Sequence, residues 1–256
     1  MRGRFALFLG VASFVALSGT AFGAVFSVGA TDNIFLAGEL APLVVGLSQT
    51  EALESVGDGT PPVGLSVTGG STIGFSDLVI SSSPAVLTCN VAHLFLANYQ
   101  ATSPDGGTCG AINTTNIASY GDISGMKAPG VMFLAGVFLG GTIPGAAPPD
   151  LDFTALGTSF SELSPEVGQT FFIGDGLTGR GSGSMQHFFV PTSATMLYLG
   201  FVDGNGGTPF AGPNSHYSDN FGSVNGTLVV VGTPEPATMA LLGVGLVGLG
   251  LLRRRK

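Results

Sequence analysis

The side chains best suited to chemistry in this chain are the oxygen donors of Asp203, Asp219 and Asn220. Asp203 follows an apolar run and opens a glycine-rich stretch, whereas Asp219 and Asn220 stand just before the last β-branched run. A loop that leaves one strand at Asp203 and returns at Asn220 can gather these oxygens. Ca²⁺ takes about six to eight hard oxygen ligands in flexible geometry, so the three residues are candidate Ca²⁺ ligands. The alternative is that they only cap backbone amides in a turn.

The sequence shows little sign of a catalytic apparatus. It contains no nucleophile elbow, no HExxH pattern and no phosphate-binding loop. His93 and His187 lie in apolar runs and are interpreted as structural, and Asp150 and Asp152 lie in a Pro- and Gly-rich stretch that is typical of solvated loops. We therefore expect a protein that is not an enzyme, although two acids far apart in the chain can still form a glycosidase pair.

The two cysteines, Cys89 and Cys109, are predicted to form a structural disulfide. In an exported chain an even pair of cysteines more often forms a disulfide than a reactive site. A loop of this size would contribute roughly 3 kcal/mol of stability. Two cysteines alone do not make a zinc site.

The elements that must position these residues are predicted to be β-strands. Short β-branched and aromatic runs alternate with Gly, Pro, Asn and Asp clusters, and no long helical period is present. We therefore predict an all-β fold, a single jelly-roll-like β-sandwich over residues 24–232. Residues 24–60 are interpreted as an edge strand plus a loop. The clearest strands are Gly64–Thr68, Leu78–Ser82, Met132–Leu139, Gln169–Ile173, Gln186–Pro191, Met196–Val202 and Ser223–Val231.

The N-terminus has the pattern of an export signal. Arg2 and Arg4 precede an apolar run, and Ala21 and Gly23 place small residues where signal peptidase reads them. We predict a signal peptide over residues 1–23, cut by signal peptidase after Gly23. Between the two basic ends lie all sixteen acids and only two cations, Lys127 and Arg180, a net charge of −14. Such a body will not bind nucleic acid through its phosphates.

The C-terminal residues form a three-part signal. Pro234, Glu235 and Pro236 hold the chain extended, Ala237 to Leu252 are apolar, and a basic cluster follows. At about 1.5 Å per residue the 16 apolar residues make a short transmembrane helix of roughly 24 Å. The basic cluster stops transfer on the cytoplasmic side. Its members are Arg253, Arg254, Arg255 and Lys256.

This tail, residues 233–256, resembles the PEP-CTERM sorting domain. The resemblance implies that an exosortase-type enzyme, a membrane-bound cysteine transpeptidase-like protein, recognises it. It also implies an inner-membrane anchor before processing, a later place in the cell envelope or extracellular matrix, and an exopolysaccharide or biofilm setting. The motif covers about a tenth of the chain and says nothing of the body's activity.

Residues 130 to 231 resemble the calcium-dependent, galactose-binding PA-IL-like lectins, in which an Asp follows a strand and a Tyr-x-Asn-Asn-x-Gly-type turn adds ligands. The resemblance implies Ca²⁺ at Asp203, Asp219 and Asn220, a carbonyl ligand from His216 or a neighbour, and sugar contact at Asp105. Two departures are the longer loop after Asp203 and Asp219 in place of Asn.

The body, residues 24–232, therefore has three candidate functions. The first is a non-enzymatic, Ca²⁺-dependent carbohydrate-binding module whose partners are galactose-like glycans or an exopolysaccharide. The second is a structural matrix protein with no specific ligand. The third is a hydrolase of surface glycans.

Overall fold

The secondary structure is almost wholly β. The computed structural model of the protein describes residues 23–38, 59–81, 87–90, 99–110, 112–141, 145–203, 217 and 220–231. A short 3-10 helix spans Ile34–Leu36, and one α-helical turn, α1, spans Phe153–Leu156. The strands are β1 (Gly23–Gly29), β2 (Val63–Ser66), β3 (Thr72–Ile80), β4 (Leu87–Asn90), β5 (Tyr99–Thr102), β6 (Thr114–Ile117), β7 (Met126–Pro129), β8 (Phe133–Gly140), β9 (Leu151–Asp152), β10 (Glu162–Leu163), β11 (Thr170–Phe172), β12 (Leu177–Gly179), β13 (Ser182–Met185), β14 (His187–Phe189), β15 (Ala194–Val202) and β16 (Ser223–Val231).

Two larger sheets organise these strands. One has five strands in the order β1-β16-β3-β14-β10, and the other has four strands in the order β11-β8-β15-β2. Smaller assemblies pair β4 with β5 and β12 with β13, and a third has three strands in the order β6-β7-β9. Most neighbours are antiparallel, whereas β10 pairs with β14 and β9 pairs with β7 in parallel.

Phenylalanines join the two larger sheets. Phe171 of β11 and Phe188 of β14 belong to different sheets, and their ring centroids lie 5.2 Å apart. Phe188 also meets Phe75 of β3 edge to face at 5.5 Å, and Phe171 stacks on Phe138 of β8 at 5.0 Å. All four rings are fully buried. Aromatic pairs contribute about 0.5–1.5 kcal/mol beyond their buried area, so this cluster forms the centre of the sandwich core.

The last strand occupies an interior position. β16 lies between β1 and β3 and pairs with both in antiparallel register. Gly23 of β1 is opposite Val229, and Thr72 of β3 is opposite Val231. From Val224 to Leu228 its residues alternate between buried and half-buried, which is the pattern of a strand with one face on the core.

The structure confirms the prediction of an all-β sandwich. β16 has the predicted bounds, β15 begins two residues earlier than expected, and the predicted edge strand is β1. Only the end of β3 was predicted, because Gly74 and Asp77 interrupt its apolar pattern in the sequence. In the structure Asp77 adopts a positive φ of 56° within the strand.

Both predicted membrane-directed segments lie almost wholly outside the described residues. These are the signal peptide, apart from Gly23, and the transmembrane helix of the tail. Among the described residues, no helix has the length and apolar character that crossing a membrane requires.

Candidate functional site

Asp203 and Asn220 meet where β15 ends and β16 begins. The side-chain Nδ2 of Asn220 donates to Oδ2 of Asp203 across 2.9 Å. Both residues are buried, with exposed fractions of 7% and 6%. The hydroxyl of Tyr217, itself fully buried, accepts from the backbone N–H of Asp203 at 3.2 Å. The two strand ends are therefore fastened to each other by polar contacts inside the core.

The other amide atom of Asn220 has no hydrogen-bond partner among the described residues. Its Oδ1 is buried, and an unsatisfied buried acceptor typically costs about 1–3 kcal/mol. A carboxylate and an orphan amide oxygen at one place fit the ligand chemistry of a hard cation such as Ca²⁺.

The structure thus brings together two of the three predicted metal ligands. Asp219 and His216 lie outside the described residues, as does most of the loop between Asp203 and Asn220. Within the described part of the chain, no cluster of three His, Cys, Asp or Glu side chains could hold a metal ion.

Asp105, the predicted sugar contact, lines a different part of the surface. It lies with Asp77, Asp175 and Arg180 in a cavity of about 640 Å³ whose lining includes neither Asp203 nor Asn220. The walls are β3, the Ser103–Asp105 turn and the β12–β13 hairpin. The backbone N–H of Asp175 donates to Oδ1 of Asp105 at 3.0 Å. Because Asp105 is only 8% exposed, its position is fixed by the core behind it.

Of the three carboxyl groups that line this cavity, those of Asp105 and Asp175 have different environments. Burial raises the pKa of Asp105 above its usual value, and the nearby charge of Asp175 adds to the rise; the N–H of Asp175 and the Arg180 guanidinium act against it. The Asp175 carboxylate accepts backbone N–H groups from Leu177 and Gly181 in the hairpin turn. Two acids lining one cavity meet the first requirement of the hydrolase alternative.

Arg180 is the cation of this cavity and was not predicted to belong to a site. Its Nη2 donates to the carbonyl of Gly106 at 3.2 Å and, at 3.4 Å, to that of Asp105. It is one of only two cations between the basic ends of the chain. That scarcity was the one sequence signal that could have drawn attention to it, since Asp105 and Arg180 are far apart in sequence.

Asp32 is a half-buried acid that was not predicted to belong to a site. Asp32 follows β1, and its carboxylate accepts from the Gly29 N–H at 2.7 Å and from the Thr60 hydroxyl at 2.6 Å. Burial raises the pKa of Asp32, and these two hydrogen bonds partly lower it. Asp32 closes the turn that follows β1 and joins this turn to β15, since its carbonyl accepts from the Phe201 N–H.

Cys89 of β4 and Cys109 are joined in a disulfide, with their Cα atoms 6.1 Å apart. Both are buried, at 1% and 7% exposure. The bond ties the β4–β5 pair to the segment that follows the Ser103–Asp105 turn, so it supports one wall of the cavity.

The predicted sorting residues lie outside the described part of the chain. They are Pro234, Glu235, Pro236, Arg253, Arg254, Arg255 and Lys256.

Comparison with known proteins assigns the tail and leaves the body unassigned. No curated protein matches the chain, and no solved structure matches it. The resemblance of the body to PA-IL-like lectins therefore has no support. The tail implies processing by an exosortase and, before processing, an exported protein anchored at the membrane. Residues 233–256 are a PEP-CTERM protein-sorting motif.

Proposed function

We propose that the body of this exosortase-sorted protein is a non-enzymatic carbohydrate-binding module. The observation that carries the proposal is the cavity that joins Asp105, Asp175 and Arg180. Sugar hydroxyls both donate and accept hydrogen bonds; carboxylates supply acceptors and a guanidinium supplies donors. Leu78 and Leu177 offer an apolar wall to the C–H groups of a sugar ring.

The charge of the cavity favours neutral glycans. Asp77, Asp105 and Asp175 outnumber the single cation Arg180, so an anionic polysaccharide would be repelled. Galactose-like sugars or a neutral exopolysaccharide are the ligands that this chemistry fits.

Ca²⁺ is the second part of the proposal. Asp203, Asn220 and the neighbouring Asp219 would hold the ion. A rotation of about 180° of the Asn220 side-chain amide would turn Oδ1, instead of Nδ2, toward the ion and Asp203. The charge of the bound ion would hold its ligands together. The ion would also offer open coordination positions to the vicinal hydroxyls of a sugar. Asp203 and Asn220 keep their mutual contact without it, so the ion adds stability to a place that is already ordered.

Glycan binding is tested with the full-length protein in a zwitterionic detergent that carries no sugar headgroup. Saturable binding of neutral polysaccharides is measured by calorimetry for the wild type, Asp105→Asn and Arg180→Ala. We expect each substitution to weaken binding at least about tenfold, which corresponds to about 1.4 kcal/mol. Glu162→Gln is the matched control, since Glu162 is an exposed acid of β10 outside the cavity.

Three outcomes separate the candidate functions. Binding without turnover supports the module. Absence of binding for every neutral glycan rejects it and favours the structural matrix protein. Glycan cleavage that is lost in both Asp105→Asn and Asp175→Asn would identify a hydrolase.

Ion binding is tested by thermal melting in EDTA and in excess Ca²⁺. A site specific to the folded state stabilises by about 2.7 kcal/mol when the ion is present at a hundred times its dissociation constant. Asp203→Asn keeps an oxygen that accepts from Asn220 but removes the charge, and Asp219→Ala removes a ligand. We expect both to abolish the Ca²⁺ shift. Equal melting of the wild type with and without Ca²⁺ would reject the ion while leaving the glycan proposal open.

A further inference from the structure

The sorting motif leaves the folded body from a defined end of the five-stranded sheet. β16 ends at Val231, and the motif begins at residue 233. Val231 is opposite Thr72 of β3, which is opposite Phe189 of β14. On the other side of β16, Gly23 of β1 is opposite Val229. We call this end, formed by residues 23–25, 72–74, 188–189 and 229–231, the tail end of the sheet.

The predicted signal peptide joins the body at the same place. Because β1 and β16 are antiparallel neighbours, the first residue of β1 lies beside the last residues of β16. Both membrane-directed segments of the precursor are therefore attached to the tail end.

The connection to the membrane is short. Ala237, the first residue of the apolar stretch, comes six residues after Val231. An extended chain spans at most about 3.6 Å per residue, so six residues reach about 22 Å. The headgroup region on one side of a bilayer occupies roughly 5–8 Å of that reach. While the apolar stretch is anchored, the tail end is held close to the lipid surface.

The composition of the tail end suits that position. The body is strongly acidic, whereas residues 23–25, 72–74, 188–189 and 229–231 include no Asp, Glu, Lys or Arg. An anionic leaflet repels an acidic protein surface within about a Debye length. Turning an uncharged end toward the lipid keeps the acids at a distance. Two acids lie nearby: Glu162 of β10, which is opposite His187, and Glu166, which lines a cavity with Pro191 and Thr192.

Exposed apolar side chains also collect at this end. Val25 is 79% exposed, Val230 is 41% exposed and Phe189 is 40% exposed. Exposed apolar groups rimmed by polar residues are typical of protein or membrane contact sites. Aromatic and aliphatic side chains at a membrane surface enter the headgroup region.

We propose that the tail end of the sheet rests on the lipid surface of the membrane while the sorting tail is anchored, with Phe189, Val230 and Val25 in contact with lipid. The inference depends on the sorting motif and is independent of the proposed glycan and Ca²⁺ sites. The membrane is thus a binding surface for the folded body as well as the location of the tail.

The chain has no tryptophan, which permits a direct test with single reporters. Phe189→Trp places a fluorophore at the tail end. Val79→Trp is the matched control, because Val79 is 56% exposed on β3 of the same sheet. It lies seven residues beyond Thr72, about 23 Å along the strand. Val25→Trp is a second reporter in case Phe189→Trp perturbs the fold, which melting of each variant checks.

The full-length precursor is reconstituted into vesicles of phosphatidylcholine and phosphatidylglycerol with brominated acyl chains, and flotation verifies anchoring. We expect the emission of Phe189→Trp and Val25→Trp to fall at least about twofold relative to unbrominated vesicles, and that of Val79→Trp to stay unchanged. Unquenched emission from both tail-end reporters in anchored protein would overturn the proposal. So would equal quenching of Val79→Trp. If brominated lipid does not quench the tail-end reporters, and a soluble quencher is excluded from them only after a processing enzyme is added, this end binds a protein partner instead.

Discussion

The backbone amide of Asp175 donates a 3.0 Å hydrogen bond to Oδ1 of Asp105, although the two residues are both acids and stand 70 positions apart in the chain. The contact places two carboxyl groups on the wall of one cavity. Burial disfavours the charged form of the Asp105 carboxyl, and the hydrogen bond from the Asp175 N–H partly offsets that effect. This pair links the energetics of the fold to the surface proposed to bind glycans.

The raised pKa of Asp105 predicts a loss of stability as pH rises. A folded-state pKa above the ordinary value of 3.8 means that its contribution is fully present below pH 3.8 and is lost as pH rises through the folded pKa. Asp105→Asn cannot ionise, so its unfolding free energy should fall less between pH 3.8 and neutral pH than that of the wild type. Denaturant melts across this window measure the difference.

Two residues serve as references for that experiment. Asp32, whose pKa is also raised by burial, contributes with the same sign in both proteins and therefore cancels in the comparison. Glu162→Gln, which removes an exposed acid of β10 outside the cavity, is the control variant measured over the same pH range. An identical pH dependence in Asp105→Asn and the wild type would contradict the assignment.

Removing the amide of Asn220 should destabilise the domain. Asn220→Ala deletes the donor to Asp203 and leaves a buried carboxylate without that partner. We expect a loss of about 1–3 kcal/mol in unfolding free energy, measured in EDTA so that any ion effect is excluded. Asn113→Ala, at an exposed position, should stay within about 0.5 kcal/mol of the wild type. Equal stability of the two variants would show that the Asp203 contact contributes nothing.

Reducing the disulfide should lower stability without changing the fold class. Cys89→Ser with Cys109→Ser opens a loop closed over a sequence separation of 20 residues. The expected loss is about 3 kcal/mol, measured by the melting temperature with and without reductant. The wild type should respond to reductant and the double variant should not. A double variant that melts with the oxidised wild type would contradict this prediction.

Gly200 marks a close approach between β15 and the segment after β1. A Cβ at this position would lie 2.8 Å from the Asp32 carbonyl oxygen and 2.9 Å from the Ile34 nitrogen, both backbone atoms. Gly200→Ala should therefore cost about 1–3 kcal/mol through displacement of packed backbone. Gly141→Ala is the control, since nothing lies within 4 Å of its Cβ position. Similar denaturation midpoints for the two variants would refute the close approach.

The short link between β16 and Pro234 should limit processing. Three residues from Val231 to Pro234 span at most about 11 Å, so the enzyme must work close to the sheet. Deleting Gly232 and Thr233 should slow conversion of precursor to processed protein in the host, as seen by gel mobility. Replacing both with Ser keeps the length and should leave the rate unchanged. Normal processing of the deletion variant would show that the sheet end does not obstruct the enzyme.

The sequence was informative wherever the signal was local. β16 alternates along Val224 to Leu228, and the sorting tail is a contiguous pattern, so both were predicted with correct bounds. Asp203 and Asn220 were predicted to meet because they stand at the two ends of one loop, and they do meet.

The remaining features depend on contacts that a single sequence does not contain. β3 carries Gly74 and the positive φ of Asp77, and its register with β16 shifts near Asn225. Only pairing on both sides explains why this segment is a strand. The cavity assembles β3, the turn before Asp105 and a hairpin around Arg180, and no periodicity or spacing relates these three segments.

The interior position of β16 determines when the five-stranded sheet can be completed during export. A chain that crosses the membrane from its N-terminus delivers β1 and β3 first, and β16 must then insert between them. Among the described strands β1 has no other neighbour, so it cannot join the sheet before the final residues of the body arrive. Those residues are followed at once by the sorting tail. Completion of the sheet and arrival of the tail at the membrane are thus nearly simultaneous. A chain halted before β16 would leave β1 and β3 without their shared partner strand, and chaperones and proteases outside the membrane would bind such an incompletely folded chain.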